Sequence, residues 1–455
     1  MPALIHRLGL ASTLALSGGV LACGSADRAP GAADSTAGNA GRVGSAATAG
    51  TGQGTGDRLT LPEGFRASVF ADSLGQARHL TARPNGDVYV NTWRSPYDST
   101  RRVPAGGFLV ALRDSNGDGK AERIERFGGE GGTGGTGITF FSDAIYAEAG
   151  PVIVRYRLRA SELVPAAAPD TIVTGLPSKG GHPMHPLTID PEGNLFVNVG
   201  SSTNSCQVKD RQPHSPGQRP CKELATRAGI WRFSATKTGQ RFDPAARYAT
   251  GIRNAGALAI NPADGALYAT QHGRDQLAEN WPELYDWKAG AELPSEELLL
   301  IVKGGDYGWP YCYHDPKLGK LVLAPEYGGD GRKVGECAEK LGPVAAFPAH
   351  WAPNGLAFYA GDAFPEAYRG GAFIAFHGSW NRAPEPQGGY NVVFQPFSGG
   401  KVSGEYWIFA DGFAGPSKQP GTAKHRPSGV TVGPDGALYI SDDNGGTVWR
   451  VVHGD

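Results

Sequence analysis

The sequence predicts an all-β protein built as a six-bladed β-propeller, and three observations support this prediction. The chain has 455 residues, of which 68 are Gly and 34 are Pro. Hydrophobic residues make up 40% of it and charged residues only 19%, a composition typical of many short strands joined by turns. The third observation is a short sequence pattern that recurs six times.

The recurring pattern is a turn that contains Gly with Pro or Asp, followed by a short apolar strand. Its copies, four clear and two looser, lie at residues 83–90, 190–197, 261–268 and 433–440, and at 137–146 and 353–359. A repeated β unit with variable insertions is the signature of a propeller. A sandwich of two sheets, repeated twice, is the alternative, and six copies at a blade's spacing favour the propeller. We expect the last strand, residues 447–452, to pair with residues 66–70 and close the ring.

Residues 1–22 predict a secretory signal peptide. His6 and Arg7 precede an apolar run at residues 8–22, which is shorter than the roughly 20 residues that a helix needs to cross a bilayer. Cys23 follows a small residue, as in the lipobox of bacterial lipoproteins. An ordinary signal peptide with an incidental Cys is the alternative.

Residues 23–57 consist mostly of Gly, Ala, Ser, Thr and Asp, and predict a flexible tether. Residues 58–455 form the predicted propeller domain. We therefore expect an exported protein of the bacterial cell envelope that faces the periplasm or the exterior and touches the membrane only through a lipid anchor. The formal net charge of −1 gives no reason to expect a nucleic-acid partner.

Four cysteines remain after Cys23, an even number that predicts disulfides in an exported chain. They permit three pairings. We favour Cys206–Cys221 with Cys312–Cys337, because each pair closes a local loop rich in Gly, Pro and charge. Neither pair has the spacing of a zinc site.

Two histidines, His182 and His185, lie in a Gly/Pro-rich loop that enters the strand of the second clear repeat. Loops carried by a rigid sheet hold reactive groups at a fixed geometry while keeping them reachable. Neutral imidazole is a base near physiological pH, so this loop is our leading candidate for the reacting centre. A structural, hydrogen-bonded role is the alternative for each histidine.

Three further stretches carry a resemblance when taken in order with the His182 loop: GIRN at 251–254, LIVKGGDYGWP at 300–310 and FHGSWNR at 376–382. Together they resemble the glucose/sorbosone dehydrogenases that bind pyrroloquinoline quinone (PQQ), which are six-bladed propellers. The resemblance covers nearly the whole mature chain. FHGSWNR is closer to the sorbosone branch than to the soluble glucose dehydrogenases.

The resemblance implies a role for individual residues. His182 matches the catalytic base, nine positions before Pro191, and takes the proton of a sugar hydroxyl as hydride leaves the carbon. Arg253 matches a group that polarises the carbonyl accepting that hydride. The cofactor-facing residues that it implies are Arg253, Asn254, Arg426, Arg382, Trp380 and Tyr307, with blade-core packing as the alternative for Trp380 and Tyr307. Cofactor-bound calcium is implied at the backbone carbonyls of His272 and Gly273.

A second calcium candidate spans residues 114–125, which match a twelve-residue calcium loop. The ligands in that pattern are Asp114, Asn116, Asp118, Lys120 through its carbonyl, and Glu125. The flanking segments predict strands, so we expect a β-hairpin turn holding structural calcium. A solvated acidic turn is the alternative.

The prediction that follows is a PQQ- and calcium-dependent oxidoreductase that oxidises an aldose or a related sugar aldehyde. Because no haem-attachment motif is present, its electrons are expected to leave to an external acceptor, a quinone or a cytochrome. The alternative is a non-catalytic, envelope-tethered propeller that serves as a binding module. A lactone hydrolase on a similar propeller requires a carboxylate-lined metal site that the sequence does not offer.

Overall fold

The computed structural model describes residues 59–93, 105–129 and 133–454. Within these ranges no helix is both long and apolar enough to cross a membrane. The predicted signal peptide at residues 1–22 and the tether at 23–57 lie outside the described residues. The domain that is described begins at Leu59.

Six antiparallel sheets of four strands follow one another along the chain, and the first strand of each sheet contacts those of the two neighbouring sheets. The strands of blades 1 to 3, inner strand first, are Ala77–Ala82, Val88–Thr92, Leu109–Arg113 and Arg123–Phe127; Ile138–Phe141, Ala144–Ala149, Val152–Arg157 and Asp170–Thr174; Leu187–Ile189, Asn194–Val199, Gly229–Ser234 and Arg247–Thr250. Those of blades 4 to 6 are Ala255–Ile260, Leu267–Gln271, Glu296–Ile301 and Ala345–Phe347; Pro353–Phe358, Ala372–Phe376, Asn391–Gln395 and Trp407–Ala410; Pro427–Val432, Leu438–Asp442, Val448–His453 and Phe65–Ala71. The predicted six-bladed β-propeller is confirmed.

The remaining elements belong to blade edges and insertions. Gln240–Arg241 adds a short parallel strand to the outer edge of blade 2. The other elements are the hairpins Cys312–Asp315 with Lys320–Leu323 and Phe397–Ser398 with Lys401–Val402, the α-helices Leu277–Asn280 and Trp287–Glu292, and the 3₁₀ turns Lys222–Ala225, Pro244–Ala246, Pro325–Tyr327, Gly335–Glu339 and Glu366–Tyr368.

Ring closure joins the two ends of the described chain. Phe65–Ala71 pairs antiparallel with Val448–His453, so that Arg66 lies opposite Val452 and Ser68 opposite Arg450. The expected pairing is therefore confirmed. It completes blade 6 with a strand from the start of the domain and leaves no open sheet between the first and last blades.

The inner strands approach one another so closely that some positions accept only glycine. A Cβ atom on Gly137 would lie 2.3 Å from the carbonyl oxygen of His185, and one on Gly256 would lie 2.2 Å from that of Pro353. Both oxygens belong to the chain entering the next blade. Any larger residue at these positions would push neighbouring blades apart.

Polar side chains on the second strands tie each blade to the inner strand of the next. Asn91 Nδ2 donates to a backbone carbonyl of the segment entering blade 2 at 2.9 Å. Thr270 Oγ1 donates to a carbonyl at the start of blade 5 at 2.8 Å, and Asn198 Oδ1 accepts a backbone N–H of blade 4 at 3.1 Å. Each bond joins a second-strand side chain to the backbone of the next blade.

Two insertions, in blades 3 and 4, hold the four cysteines of the domain. Cys206–Cys221 closes the loop between the second and third strands of blade 3, and Cys312–Cys337 closes the one between the third and fourth strands of blade 4. Both predicted pairings are confirmed. A buried ion pair between Arg274 and Glu326, with side chains 3% and 0% exposed, joins the two long loops of blade 4.

Replacing Phe65 by alanine tests the ring closure. Phe65 comes from the closing strand and packs edge-on against Phe364, Tyr368 and Phe409 of blade 5, at centroid distances of 4.8 to 5.2 Å. Removing a buried aromatic ring costs about 3–5 kcal/mol. We expect a lowered urea midpoint of unfolding, followed by tryptophan fluorescence.

Val69→Ala is the matched control, because Val69 lies on the same strand and is 40% exposed. We expect it to change the free energy of unfolding by less than about 1 kcal/mol. Equal midpoints for the two variants would contradict a closing role for the Phe65 ring.

Candidate active site

Eight of the predicted site residues lie in loops on one face of the propeller. Because neighbouring strands are antiparallel, the loops that follow the second and fourth strands of every blade lie on the same face. His182, Arg253, Asn254 and Arg426 lie in loops after fourth strands, and His272, Gly273, Trp380 and Arg382 follow second strands. His182, Arg253, Asn254 and Arg426 therefore share one face, whereas a binding module without a cofactor does not require them to lie together.

His182 is held by Ser201 in a defined tautomer. Its Nδ1 lies 3.0 Å from the carbonyl oxygen of Ser201 and 2.9 Å from the hydroxyl, which itself donates to the carbonyl of Thr203 at 2.7 Å. Both Ser201 atoms act as acceptors, so Nδ1 carries the hydrogen and the neutral ring keeps a lone pair on Nε2. Nε2 has no hydrogen-bond partner among the described residues, which leaves it available to a bound molecule.

His182 stays unprotonated at neutral pH. Burial, followed by the positive charge of Arg253, lowers the pKa of His182 well below its ordinary value of 6.5, against a smaller opposing effect of the Ser201 carbonyl. A partly buried imidazole with a lone pair is the arrangement that a general base requires.

Asn254 lies across Gly200 from His182. A Cβ on Gly200 would lie 2.6 Å from His182 Cβ and 3.0 Å from Asn254 Oδ1, so the two side chains flank one glycine. On its other side Asn254 Nδ2 lies 3.5 Å from His272 Nδ1. His182 and Asn254 therefore lie beside the same backbone position.

His272 contributes a side chain as well as a backbone carbonyl. Burial, followed by Arg253, lowers the pKa of His272 to about 4, so its ring is neutral. Its Nε2 is buried and has no hydrogen-bond partner in the part of the chain that the structure describes. The sequence implied only the carbonyl.

The Arg253 guanidinium is buried, with 4% of the residue exposed, and is bound by protein groups. Nε and Nη2 donate to the carbonyl and side-chain oxygens of Asn204 at 3.1 and 3.0 Å. Nη2 also donates to Asp275 Oδ2 at 3.0 Å, and Nη1 to the carbonyl of Gly273 at 2.9 Å. One of the five N–H groups, on Nη1, has no partner among the described residues.

Asp275 is the counter-charge that sequence reasoning missed. Burial alone would raise the pKa of Asp275, but Arg253, His350 and Arg211 hold it well below its usual range. Asn381 Nδ2 donates to Asp275 Oδ1 at 2.9 Å, so the carboxylate joins blade 5 to blade 4. The carboxylate is two residues from Gly273, but no local pattern marks it as a partner of Arg253.

Arg426 reaches the site from blade 6. Its Nε donates to the carbonyl of His377 at 3.1 Å and its Nη2 to that of Gly378 at 2.7 Å, while the guanidinium lies 5.5 Å from the ring centre of Tyr390. Nη1 makes no hydrogen bond within the described ranges. Arg426 therefore offers cationic donors beside the blade 5 loop.

The other implied cofactor residues differ in position. Arg382 is bound to backbone carbonyls, including that of Ala349 at 3.0 Å, and Trp380 is 57% exposed. Tyr307 is 2% exposed in the core between blades 3 and 4, and its hydroxyl donates to the carbonyl of Leu300 at 2.5 Å. Its position matches the packing alternative rather than a ring that covers a cofactor.

The Gly273 carbonyl, an implied calcium ligand, already accepts a hydrogen bond from Arg253. The Gly273 N–H donates to Glu296 Oε2 at 2.9 Å. Burial raises the pKa of Glu296 to about 8, so this carboxyl is largely neutral at pH 7. A carbonyl oxygen has a second lone pair, so the Gly273 oxygen retains one position for a cation.

The acidic hairpin of blade 1 forms as expected, between strands Leu109–Arg113 and Arg123–Phe127. Carboxylate oxygens of Asp114, Asp118 and Glu122 lie within 4.8 Å of one another. The expected ligand Glu125 instead pairs with Arg123. The cluster of three carboxylates therefore includes Glu122, at the ninth position of the loop, and not Glu125, at the twelfth. Glu125 already lies on the strand Arg123–Phe127.

Two other members of that loop hold its backbone. Asn116 Oδ1 accepts the N–H of Asp118 at 2.8 Å, and Lys120 N–H donates to Asp118 Oδ1 at 2.9 Å. The hairpin joins the third and fourth strands of blade 1, so it lies on the face opposite the His182 loop.

Several known proteins are similar to this chain. The aldose sugar dehydrogenase YliI of Escherichia coli is 25% identical over 288 residues, which cover 60% of this chain and 61% of that protein. The chain spans less than two thirds of the length of the curated relatives that it matches.

Two solved structures share the fold. The calcium structure of the Trichoderma reesei family AA12 carbohydrate-active enzyme has a TM-score of 0.69 and 18% identity, covering 88% of this chain and 98% of that one. The holo form of the pyranose dehydrogenase PQQ domain from Coprinopsis cinerea has a TM-score of 0.67 and 20% identity, covering 87% and 97%. The TrAA12-like family model matches residues 59–454, and the chain therefore belongs to the TrAA12-like family.

Proposed function

We propose that this protein is a PQQ- and calcium-dependent dehydrogenase that oxidises an aldose or a related sugar aldehyde. The observation that carries the proposal is the unprotonated, unpartnered Nε2 of His182 in a site shared with Arg253 and Asn254. The similarity to an aldose sugar dehydrogenase and to a PQQ domain supports the same reaction.

The side chains fit an anionic quinone. Arg253 and Arg426 each keep guanidinium N–H groups without a protein partner in the described ranges, and Asn254 adds a neutral donor. The carbonyl oxygens of His272 and Gly273 are of the type that calcium prefers. When bound, PQQ supplies the carbonyl that accepts hydride, and calcium polarises it.

His182 takes the proton from the sugar hydroxyl at the carbon that is oxidised. Ser201 keeps Nδ1 protonated, so that Nε2 is the atom that accepts this proton. Arg253 holds positive charge beside the same space and keeps the base neutral before substrate binds. The residues therefore orient the substrate hydroxyl and move one proton.

The finer points of the proposal rest on the sequence. Electrons pass to an external quinone or cytochrome, and the protein works in the bacterial cell envelope on a lipid anchor. Calcium in the blade 1 hairpin stays a separate prediction, with Glu122 in place of Glu125 as the ligand. The competing proposal, a binding module without catalysis, requires that the site take up no PQQ.

Titration of the protein with PQQ and calcium, followed by dye reduction with a panel of sugars, separates these proposals. We expect saturable PQQ binding, monitored by fluorescence quenching, and sugar-dependent dye reduction. Binding without reduction of dye by any sugar would contradict the sugar dehydrogenase, and absence of both would favour the binding module.

Removing the imidazole of His182 should abolish most of the activity. Loss of a general base lowers rates by about 100- to 10,000-fold, so we expect His182→Ala to reduce kcat within this range while PQQ still binds. Ser201→Ala should cost less than about 10-fold, because the Ser201 carbonyl still accepts from Nδ1.

His214→Ala is the matched control, because the His214 side chain is 60% exposed on the blade 3 insertion. We expect it to keep the wild-type kcat. A His182→Ala enzyme with wild-type kcat would exclude this histidine as the base.

The pH dependence of kcat/KM reports the base in the free enzyme. The pKa of His182 is lowered, so the neutral, active form persists as the pH falls below 6.5. We expect kcat/KM to stay constant from pH 8 to 6.5 and to fall only at lower pH. An acidic limb at or above pH 6.5 would contradict a His182 pKa that burial and Arg253 lower.

A further inference from the structure

The first residues of the blade 3 insertion contact both His182 and Arg253. Ser201 binds the imidazole of His182, and its backbone N–H donates to the carbonyl of Arg253 at 2.7 Å. Three residues later, Asn204 binds the Arg253 guanidinium. Asn204 is 1% exposed, and no sequence pattern marked it.

The backbone of Asn204 is fully bonded. Its N–H donates to Asp210 Oδ1 at 3.0 Å. Its carbonyl accepts Arg253 Nε at 3.1 Å and Trp309 Nε1 at 3.0 Å. The position of this residue is therefore set before its side chain is considered.

The Asn204 amide joins Arg253 to Asp275. Oδ1 accepts from Arg253 Nη2 at 3.0 Å and from the N–H of Asp275 at 2.9 Å. Nδ2 donates to the carbonyl of Asp275 at 2.9 Å. The reversed amide would bring NH₂ against two donors, so the partners define one orientation.

Neighbouring bonds make this segment rigid. Glu223 Oε2 accepts the backbone N–H groups of Ser202 and Thr203 at 2.5 and 3.2 Å. The Cys206–Cys221 disulfide ties the segment to the same short helical turn that carries Glu223. A rigid support is what a positioning group needs.

We propose that Asn204 is a positioning residue that holds the Arg253 guanidinium between Asp275 and the His182 loop. The inference rests on the proposed function, in which Arg253 faces the reacting site. Arg253 also contacts the Gly273 carbonyl through Nη1 and Asp275 through Nη2, but only Asn204 binds both Nε and Nη2. Without the amide, Nη2 and the Asp275 N–H each lose a buried acceptor. The Nη2 side of the guanidinium can then rotate, while Nε stays on the Asn204 carbonyl.

The charge on His182 reports that rotation. The charged and titratable groups that act on it are Arg253 and His272, which disfavour its protonation, and Asp275, which favours it; the Ser201 carbonyl also favours it. Of the two groups that disfavour protonation of His182, Arg253 has a larger effect than His272. Moving the guanidinium away removes this larger effect. The imidazole then protonates at a higher pH.

The test compares Asn204→Ala with the wild-type protein in two assays. In the enzyme loaded with PQQ and calcium, we expect kcat to fall at least about 10-fold, since small displacements of a reacting group are costly, and the acidic limb of kcat/KM to move up by about 1 pH unit. In the protein without PQQ, diethyl pyrocarbonate labels only neutral histidine. Mass spectrometry of the peptide that contains His182 then measures its labelling as a function of pH, and the midpoint of that curve reports its protonation. We expect its labelling midpoint to move up by the same amount.

Asn261→Ala is the matched control, because Asn261 is also buried, at 0% exposure, but lies in a turn on the opposite face of blade 4. It should keep the wild-type labelling midpoint and pH profile. Asn204→Leu keeps the side-chain volume and serves as a second variant where alanine lowers stability; we expect the same shifts.

Two results would overturn the proposal: wild-type kcat and labelling in both Asn204 variants, or equal losses in the Asn204 and Asn261 variants without a shift of the labelling midpoint. Absence of sugar oxidation by the wild-type protein would refute the proposed function instead. The labelling comparison still decides the role of Asn204 in that case.

Discussion

The close approach of six inner strands around one channel is the constraint on which the rest of the structure depends. Where one blade meets the next, Gly137 and Gly256 leave no space for a side chain, and polar groups such as Asn91 and Thr270 fasten each blade to the following one. The closing strand Phe65–Ala71 completes blade 6, which then packs against blade 1 as the other blades pack against their neighbours. Because strand direction alternates, this packing also directs every second loop toward one end of the channel, where the candidate site lies.

A buried guanidinium is the second constraint, and residues from two long loops bind it. Taking Arg253 out of water costs several kcal/mol unless its donors find partners. Asn204 comes from the blade 3 insertion and Asp275 from the loop between the second and third strands of blade 4, so two loops bind the same charge. The Cys206–Cys221 disulfide closes the loop that carries Asn204.

Sequence reasoning succeeded where local patterns determine structure. The repeated turns predicted the six blades and the closing pair, local loop closure predicted both disulfides, and the resemblance to PQQ-binding dehydrogenases agrees with the family that the chain matches. It was less successful where a side chain's environment is set by distant residues. Tyr307 is buried because blade 3 packs over it, and Glu125 turns to Arg123 because it already lies on a strand. Asn204 and Asp275 are 71 residues apart in the chain, and no periodicity connects them.

The group that hydrogen-bonds Nδ1 of His182 determines how strong the proposed base is. A carboxylate at Nδ1 would stabilise the protonated ring and raise its pKa, making a stronger base that is more often already protonated. Ser201 fixes the same tautomer without a charge, while burial and then Arg253 lower the pKa of His182. The resulting base is weak but always available, so the proposed reaction depends on how well the hydroxyl is aligned and on how strongly hydride is drawn to its acceptor. Both depend on Arg253, and therefore on the amide that orients it.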